Sequence, residues 1–206
     1  MADHKLTESL AVQVILGGRW RRNFCLPTYT PPDWWECDVF ELTKAGYFRE
    51  YEVKLTRADF LADRRKRREV GFVPNPEYDH RAKIDHDRPV PAYLPEWVER
   101  KHDLLAERSP RGPTRFWYVV PAGLLQPEEL PAWAGLVEQV DRGEQYKDSG
   151  WGRWREQELV KAPQLHRAKC PEKVEVHARS ICYWRMHELR VCGRLLAGDG
   201  FGGGGS

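Results

Sequence analysis

Apolar positions Leu10, Val12, Val14, Ile15 and Leu16, preceded by Thr7 and followed by Gly17-Gly18, predict a short helix that Thr7 caps and glycine stops. Residues 19–34 lose that period, and Pro27, Pro31 and Pro32 suit an irregular approach or an edge strand. Two β-rich runs, Trp35 to Leu42 and Tyr47 to Thr56, flank the loop Thr43-Lys44-Ala45-Gly46 and predict a hairpin. A helix from about Arg57 to Glu69 follows, opened by Thr56-x-x-Asp59 in capping-box form with Asp replacing Glu. Residues 70–95 hold five prolines and predict a long inserted loop, after which Pro95 starts a helix to about Arg108. Phe116 to Val120 is a short buried strand ending at Pro121, and Gly135 to Val140 and Glu158 to Ala162 are weaker strands. Val174 to Leu196 is a long helix, and the glycine-rich tail at 198–206 is flexible. The expectation is one α/β domain over residues 1–197.

Composition narrows the class. The 206 residues carry 33 Lys+Arg against 31 Asp+Glu, and 41% are hydrophobic, with nine Trp, eight Tyr and seven Phe, enough to bury a core without staples. Mean hydropathy is −0.69, and no run approaches the 18 apolar residues of a membrane span. The start MADHKLTESL lacks a basic n-region and an apolar h-region, so a cytoplasmic protein with no membrane partner is expected. The five cysteines (25, 37, 170, 182 and 192) include no C-x2-C pair and fit a reducing compartment. His166, Cys170, His177 and Cys182 match no standard zinc spacing, and Cys182 falls on an apolar helix stripe. Asp79, His80, Asp85, His86 and Asp87 lie in the proline-rich segment with no regular element to hold them, which reads as a solvated insertion.

The dense basic block is Arg64-Arg65-Lys66-Arg67-Arg68. A charge run is a solvated face by default; its functional reading gives Arg64, Arg65, Arg67 and Arg68 phosphate contacts. Lys66 is set apart, because on a helix it would share a face with Asp59 and Asp63.

Alternation brings the chemistry together. On the second hairpin strand Phe48, Glu50, Glu52, Lys54 and Thr56 point one way, while Tyr47, Tyr51, Val53 and Leu55 point into a core. On the first strand Glu36, Asp38 and Phe40 share a face, opposite Cys37 and Val39. Asp38, Glu52 and Lys54 can therefore converge. Two carboxylates bind a hard divalent cation, and an adjacent ammonium stabilises an attacking hydroxide or phosphate charge. The bland counterpart is a solvated hairpin with a cross-strand ion-pair ladder.

The stretches Glu36-Cys37-Asp38-Val39-Phe40, Gly46-Tyr47 and Glu50-Tyr51-Glu52-Val53-Lys54 resemble the PD-(D/E)XK nuclease superfamily. Their continuation, Leu55-Thr56-Arg57-Ala58-Asp59-Phe60-x-x-Asp63, is similar to one small branch found in phages and bacteria. Lys101-His102, the Phe116 to Pro121 strand, Leu130-Pro131-x-x-x-Gly135-Leu136 and Lys161-Ala162-Pro163-x-Leu165-His166 extend the resemblance, in order, over about residues 7–170. It implies a restriction-endonuclease-like core, a central mixed sheet of about four to six strands flanked by helices. It also implies a metal-dependent deoxyribonuclease of a bacterial cell or phage-infected host. Asp38 and Glu52 would ligate Mg²⁺ or Mn²⁺ with the Val53 carbonyl, and Lys54 would orient or deprotonate the attacking water and stabilise the transition state. Glu8, from the first helix, or Glu36 would add a further acid, although Glu8 equally suits the helix N-terminal dipole.

Lys101 breaks a pattern. On a helix after Pro95 it takes the place of an apolar residue in the stripe Leu94, Trp97, Val98, Leu104 and Leu105. It either snorkels to water or reaches the phosphate or the Asp38–Glu52 site. The alternatives to an enzyme are a catalytically inactive nuclease-fold protein that binds nucleic acid, and a phage-type adaptor or inhibitor with a tryptophan-rich docking surface.

Overall fold

The computed structural model describes residues 5–75, 91–143, 145–146 and 152–196, the stretch 191–196 by its backbone alone. Asp79, His80, Asp85, His86, Asp87 and the tail at 198–206 lie outside the described residues.

Thr7 accepts from the Leu10 amide at 3.3 Å and opens α1 (Glu8–Arg19). The helix runs through Gly17-Gly18, which were expected to stop it. Glycine costs a helix interior roughly 1 kcal/mol relative to alanine. Tertiary contacts of the last turn offset this: Arg19 pairs with Glu156 at 2.5 Å and stacks over the Tyr51 ring at 4.4 Å.

The strands β1 (Phe24–Tyr29), β2 (Cys37–Leu42) and β3 (Phe48–Val53) form an antiparallel meander, with the hairpin where the sequence predicts it. The sheet continues through β6 (Arg115–Pro121), parallel to β3, then β7 (Ala134–Asp141), parallel to β6, and closes with antiparallel β8 (Trp154–Val160). The result is an α/β protein with a mixed six-stranded sheet in the order β1-β2-β3-β6-β7-β8. Helix α1 covers one face, with Ala11 and Ile15 packing on Val39, Tyr51, Val53, Trp117, Val119 and Val137. The other face carries Phe60 of α2 (Arg57–Asp63), Leu105 of α3 (Lys101–Ala106) and Val174 and Ala178 of α4 (Glu172–Leu196) against Phe40, Phe48, Phe116 and Tyr118. Among the described residues no helix is long and apolar enough to cross a membrane.

Two sequence expectations fail between α2 and α3. The helix expected to reach Glu69 ends at Asp63, whose carboxylate is drawn into the interior, and β4 (Arg67–Pro74) begins within the basic block. The expected proline-rich loop and the helix starting at Pro95 are replaced at their ends by β4 and its antiparallel partner β5 (Tyr93–Arg100). Val70, Phe72, Val73, Tyr93, Trp97 and Val98 are β-branched or aromatic and form that ladder, while Pro95 is tolerated because both strands of a two-stranded sheet are edges. The stripe used to single out Lys101 therefore does not exist as a helical face.

Candidate active site

The ladder between β2 and β3 runs from Leu42↔Phe48 to Val39↔Tyr51. Beyond it β3 stays paired with β6, through Val53↔Val119 and a Lys54 amide to Val119 carbonyl bond of 2.9 Å. Asp38 replaces the missing rung with its side chain, Oδ2 accepting from the Val53 amide at 2.6 Å. Strict alternation also fails here, since Cys37 packs with Phe40 and not with Val39. A cleft of about 380 Å³ opens at this divergence, lined by Glu8, Asp38, Glu52, Val53, Lys54, Asp59, Asp63 and Lys66 among others.

Behind the cleft lies a buried charge network. The Lys54 ammonium sits 2.8 Å from Glu52 Oε1 and 3.1 Å from Asp63 Oδ1. Lys66 also meets Glu52 Oε1 and stands 3.1 Å from Asp63 Oδ1. Lys101 reaches Glu52 Oε2 at 3.0 Å and Glu50 Oε1 at 2.5 Å. Trp34 Nε1 donates to the other oxygen of Glu50 at 2.7 Å, and Tyr118 donates to Asp63 Oδ2 at 2.9 Å, where His102 Nε2 also lies at 2.9 Å. Charges removed from water this completely need partners, and each of these carboxylates has at least two.

The surroundings set the protonation states. Burial opposes ionisation of Glu52, yet Lys101, Lys54 and Lys66 together hold its carboxyl below the usual range. Burial likewise works against Asp63, and the His102 hydrogen bond and the three ammoniums outweigh it, pulling it well down. Lys101 rises well above the ordinary lysine value because Glu50 and Glu52 overcome its desolvation. Asp38 goes the other way. Burial first, then the Glu52 charge, push it up to about 7, against the Val53 amide, Lys54 and Lys66.

A larger cleft of about 620 Å³ lies at the opposite ends of α1 and β3, lined by Arg19, Glu41, Arg49, Trp117, Glu156 and Glu158 among others. Many of its charged groups already have partners: Arg19 pairs with Glu156, Arg49 pairs with Glu41, and Glu158 accepts a hydrogen bond from the Trp117 indole. Burial raises the Glu156 carboxyl of that larger cleft as well, but Arg19 holds it at 2.5 Å. The smaller cleft, whose raised Asp38 carboxyl accepts from a backbone amide and has no ion pair among the described residues, is the better candidate for chemistry.

No protein-family model matches the chain, and no curated protein does. A solved structure similar to it is SPO1766, a protein of unknown function from Silicibacter pomeroyi, with a TM-score of 0.49 and 16% identity, covering 93% of this chain and 92% of that one.

The structure brings Asp38, Glu52, Val53, Lys54 and Glu8 to one cleft, Glu8 as an exposed residue in the first turn of α1. Glu36 is exposed and does not line it. Lys101 has no exposed side-chain surface, so it makes no phosphate contact; it reaches Glu52 instead. Arg68 is held by Glu99 at 2.7 Å and lies over the Trp35 ring at 4.9 Å, which removes it from the free basic block. Lys66, set aside on a helical argument, joins the network because α2 ends before it. Glu50, Asp63, His102 and Tyr118 were not singled out as site residues. Glu50 carries the one legible signal, a charged residue on the same inward face of β3 as Phe48 and Glu52.

Among the described residues no group of three or more His, Cys, Asp or Glu side chains is close enough to share a metal ion. The donor set in the cleft is two carboxylates, Asp38 and Glu52, with the Val53 carbonyl. That set fits a hard cation of the Mg²⁺ class, which keeps several waters and takes one or two carboxylates. The raised Asp38 carboxyl supports the fit, since a cation beside it supplies the positive charge its burial lacks.

Proposed function

We propose that this protein is a Mg²⁺- or Mn²⁺-dependent nuclease that hydrolyses phosphodiester bonds of DNA, on a restriction-endonuclease-like core. The observation that carries the reading is the convergence of Asp38, Glu52 and Lys54 in one cleft at the diverging ends of β2 and β3. A divalent cation held by Asp38, Glu52 and the Val53 carbonyl would supply Lewis acidity toward the scissile phosphate and lower the pKa of an attacking water. Asp38 must lose its proton to act as a ligand, which its value near 7 permits at neutral pH. Lys54, fixed between Glu52 and Asp63, presents a positive charge where negative charge develops on the phosphate. Lys101, itself paired with Glu50, holds Glu52 from behind. At the cleft mouth Lys66, the most exposed of the three lysines, competes with a cation for Glu52 Oε1 and is the group best able to turn outward.

A second reading is favoured by one observation: both Glu52 oxygens already carry ammonium partners. A protein whose lysines permanently neutralise that carboxylate would bind nucleic acid or a partner without cutting. Incubation with labelled single-stranded, double-stranded and branched DNA separates the two. The nuclease reading expects cleavage with Mg²⁺ or Mn²⁺ that EDTA abolishes; DNA retained intact under all three conditions overturns it.

A further inference from the structure

The larger cleft, of about 620 Å³, is built on two neighbouring arginines. Strands β3 and β6 run parallel, with Arg49 paired to Arg115 and Tyr51 to Trp117. All four line the cleft, and the two rings stack with centroids 5.0 Å apart. On the next strand Gly135 pairs with Trp117. A Cβ there would stand 2.5 Å from the indole, so the missing side chain is what lets the ring lie across β7. Like charges on adjacent strands repel, and Arg49 beside Arg115 destabilises the sheet unless an anion lies between them.

The carboxylates of the cleft do not fill that place. Glu41 is buried and accepts from the Tyr51 hydroxyl at 2.6 Å and from the Asn23 side-chain amide. Arg49 therefore stays 3.6 Å from it, beyond hydrogen-bond length. Glu156 is held by Arg19, and Glu158 accepts from the Trp117 indole. Arg115 rests one nitrogen on the Ala162 carbonyl and has no ion pair among the described residues. Exposed Arg22 and Lys161 complete the wall, also without an ion pair among the described residues. The lining thus carries five cations against three carboxylates, an excess of two positive charges.

The shape of the missing anion follows from the forks. One bidentate guanidinium takes both oxygens of a carboxylate, whereas a phosphate keeps oxygens for a second guanidinium. Two forks on adjacent strands and an excess of two charges suit a tetrahedral dianion. We propose that this cleft is a second binding site, for the dianionic phosphate of a phosphomonoester, with Arg49 and Arg115 as its forks and Arg22 and Lys161 as its outer charges. It lies about 13 Å from Val53 along β3 and shares no residue with the cleft of Asp38. The proposal stands whether or not that other cleft cuts DNA. A free phosphorylated small molecule and the phosphorylated end of a DNA strand both offer the group.

The test is thermal unfolding of the whole chain in EDTA, with phosphate, sulfate, acetate or chloride at matched ionic strength. Phosphate and sulfate should raise the melting temperature with concentration, and acetate should do no more than chloride. Arg115→Gln should weaken the apparent phosphate affinity by about tenfold, the scale of a lost charge-assisted hydrogen bond. Lys161→Gln, at an exposed position with no bond to break, should weaken it by about twofold or more. Lys66→Gln, in the other cleft, should bind phosphate as the wild type does. Equal effects of all four anions overturn the proposal, and so does a phosphate effect that survives Arg115→Gln and vanishes in Lys66→Gln. A 5′-phosphorylated oligonucleotide that binds tighter than its 5′-hydroxyl form, with the difference lost in Arg115→Gln, makes a DNA end the source. Equal binding of the two forms, with a nucleoside monophosphate raising the melting temperature, assigns the site to a free phosphate compound.

Discussion

The Lys101 ammonium lies 3.0 Å from Glu52 Oε2, with no solvent-exposed surface on its side chain. Its other partner is Glu50, at 2.5 Å. A lysine that never reaches water is a clamp on the carboxylate it faces. Lys101→Met leaves two buried carboxylates short of a counter-charge, so it should lower stability by about 3 kcal/mol or more. The double variant Glu50→Leu/Lys101→Met should recover part of that loss. Chemical denaturation of both singles and the double measures the coupling, and strict additivity would show that the pair does not interact.

Asp63 gathers Lys54, Lys66, His102 and Tyr118. Asp63→Asn should destabilise by about 3–5 kcal/mol at neutral pH, because it breaks a buried pair from one side. The folded-state value lies below the ordinary 3.8, so the contribution is complete at neutral pH and fades only as pH falls below about 4. The loss on mutation should therefore shrink in acid. Urea titrations from neutral pH to about pH 3 read this directly, and a loss independent of pH would contradict it.

Much of the site was legible because β-strand alternation needs little tertiary information. Glu50, Glu52 and Lys54 share a face by period alone, and the loop at Thr43 to Gly46 fixes their distance from Asp38. What misled was the basic block. Arg64 to Arg68 is good helix former by composition, yet α2 ends at Asp63, where a buried carboxylate matters more than propensity. Reading 57–69 as one helix set Lys66 apart on a face with Asp59 and Asp63, and reading a helix from Pro95 singled out Lys101 for the wrong reason. The β4–β5 ribbon was illegible for a related cause: five prolines suggested a loop, and Pro95 fits a strand only because each strand of a two-stranded sheet is an edge strand.

Asp38 titrates near 7 because burial and Glu52 disfavour its ionised form. With metal below saturation, cleavage should rise about tenfold per pH unit below 7 and level off above it, since protons and the cation compete for the carboxylate. Its folded value is raised, so the same ionisation weakens the metal-free fold as pH climbs from about 4 to 7. Divalent cation should reverse that trend in thermal unfolding. A flat rate profile from pH 5 to 8 would remove Asp38 from the chemistry.

The arginines of the basic block should part company. Arg65 is exposed, whereas Arg68 is held by Glu99 and Trp35. Arg65→Gln should lower the salt slope of DNA binding by about 0.7 to 0.9, and Arg68→Gln should leave the slope unchanged while loosening the root of the ribbon. Equal slopes for the two variants would return the whole block to a solvated surface.

The most direct measurement is the single-turnover cleavage rate of Asp38→Asn against the wild type in Mg²⁺, with thermal unfolding followed in parallel. Asparagine still offers an oxygen to the Val53 amide but carries no charge. The expected result is a melting temperature without metal at or above the wild type's, since the substitution removes a carboxylate whose charge burial disfavours, and a rate lowered by about 10³-fold, the scale of losing metal placement and transition-state charge together. Wild-type cleavage by Asp38→Asn would contradict the assignment of this cleft as the catalytic centre.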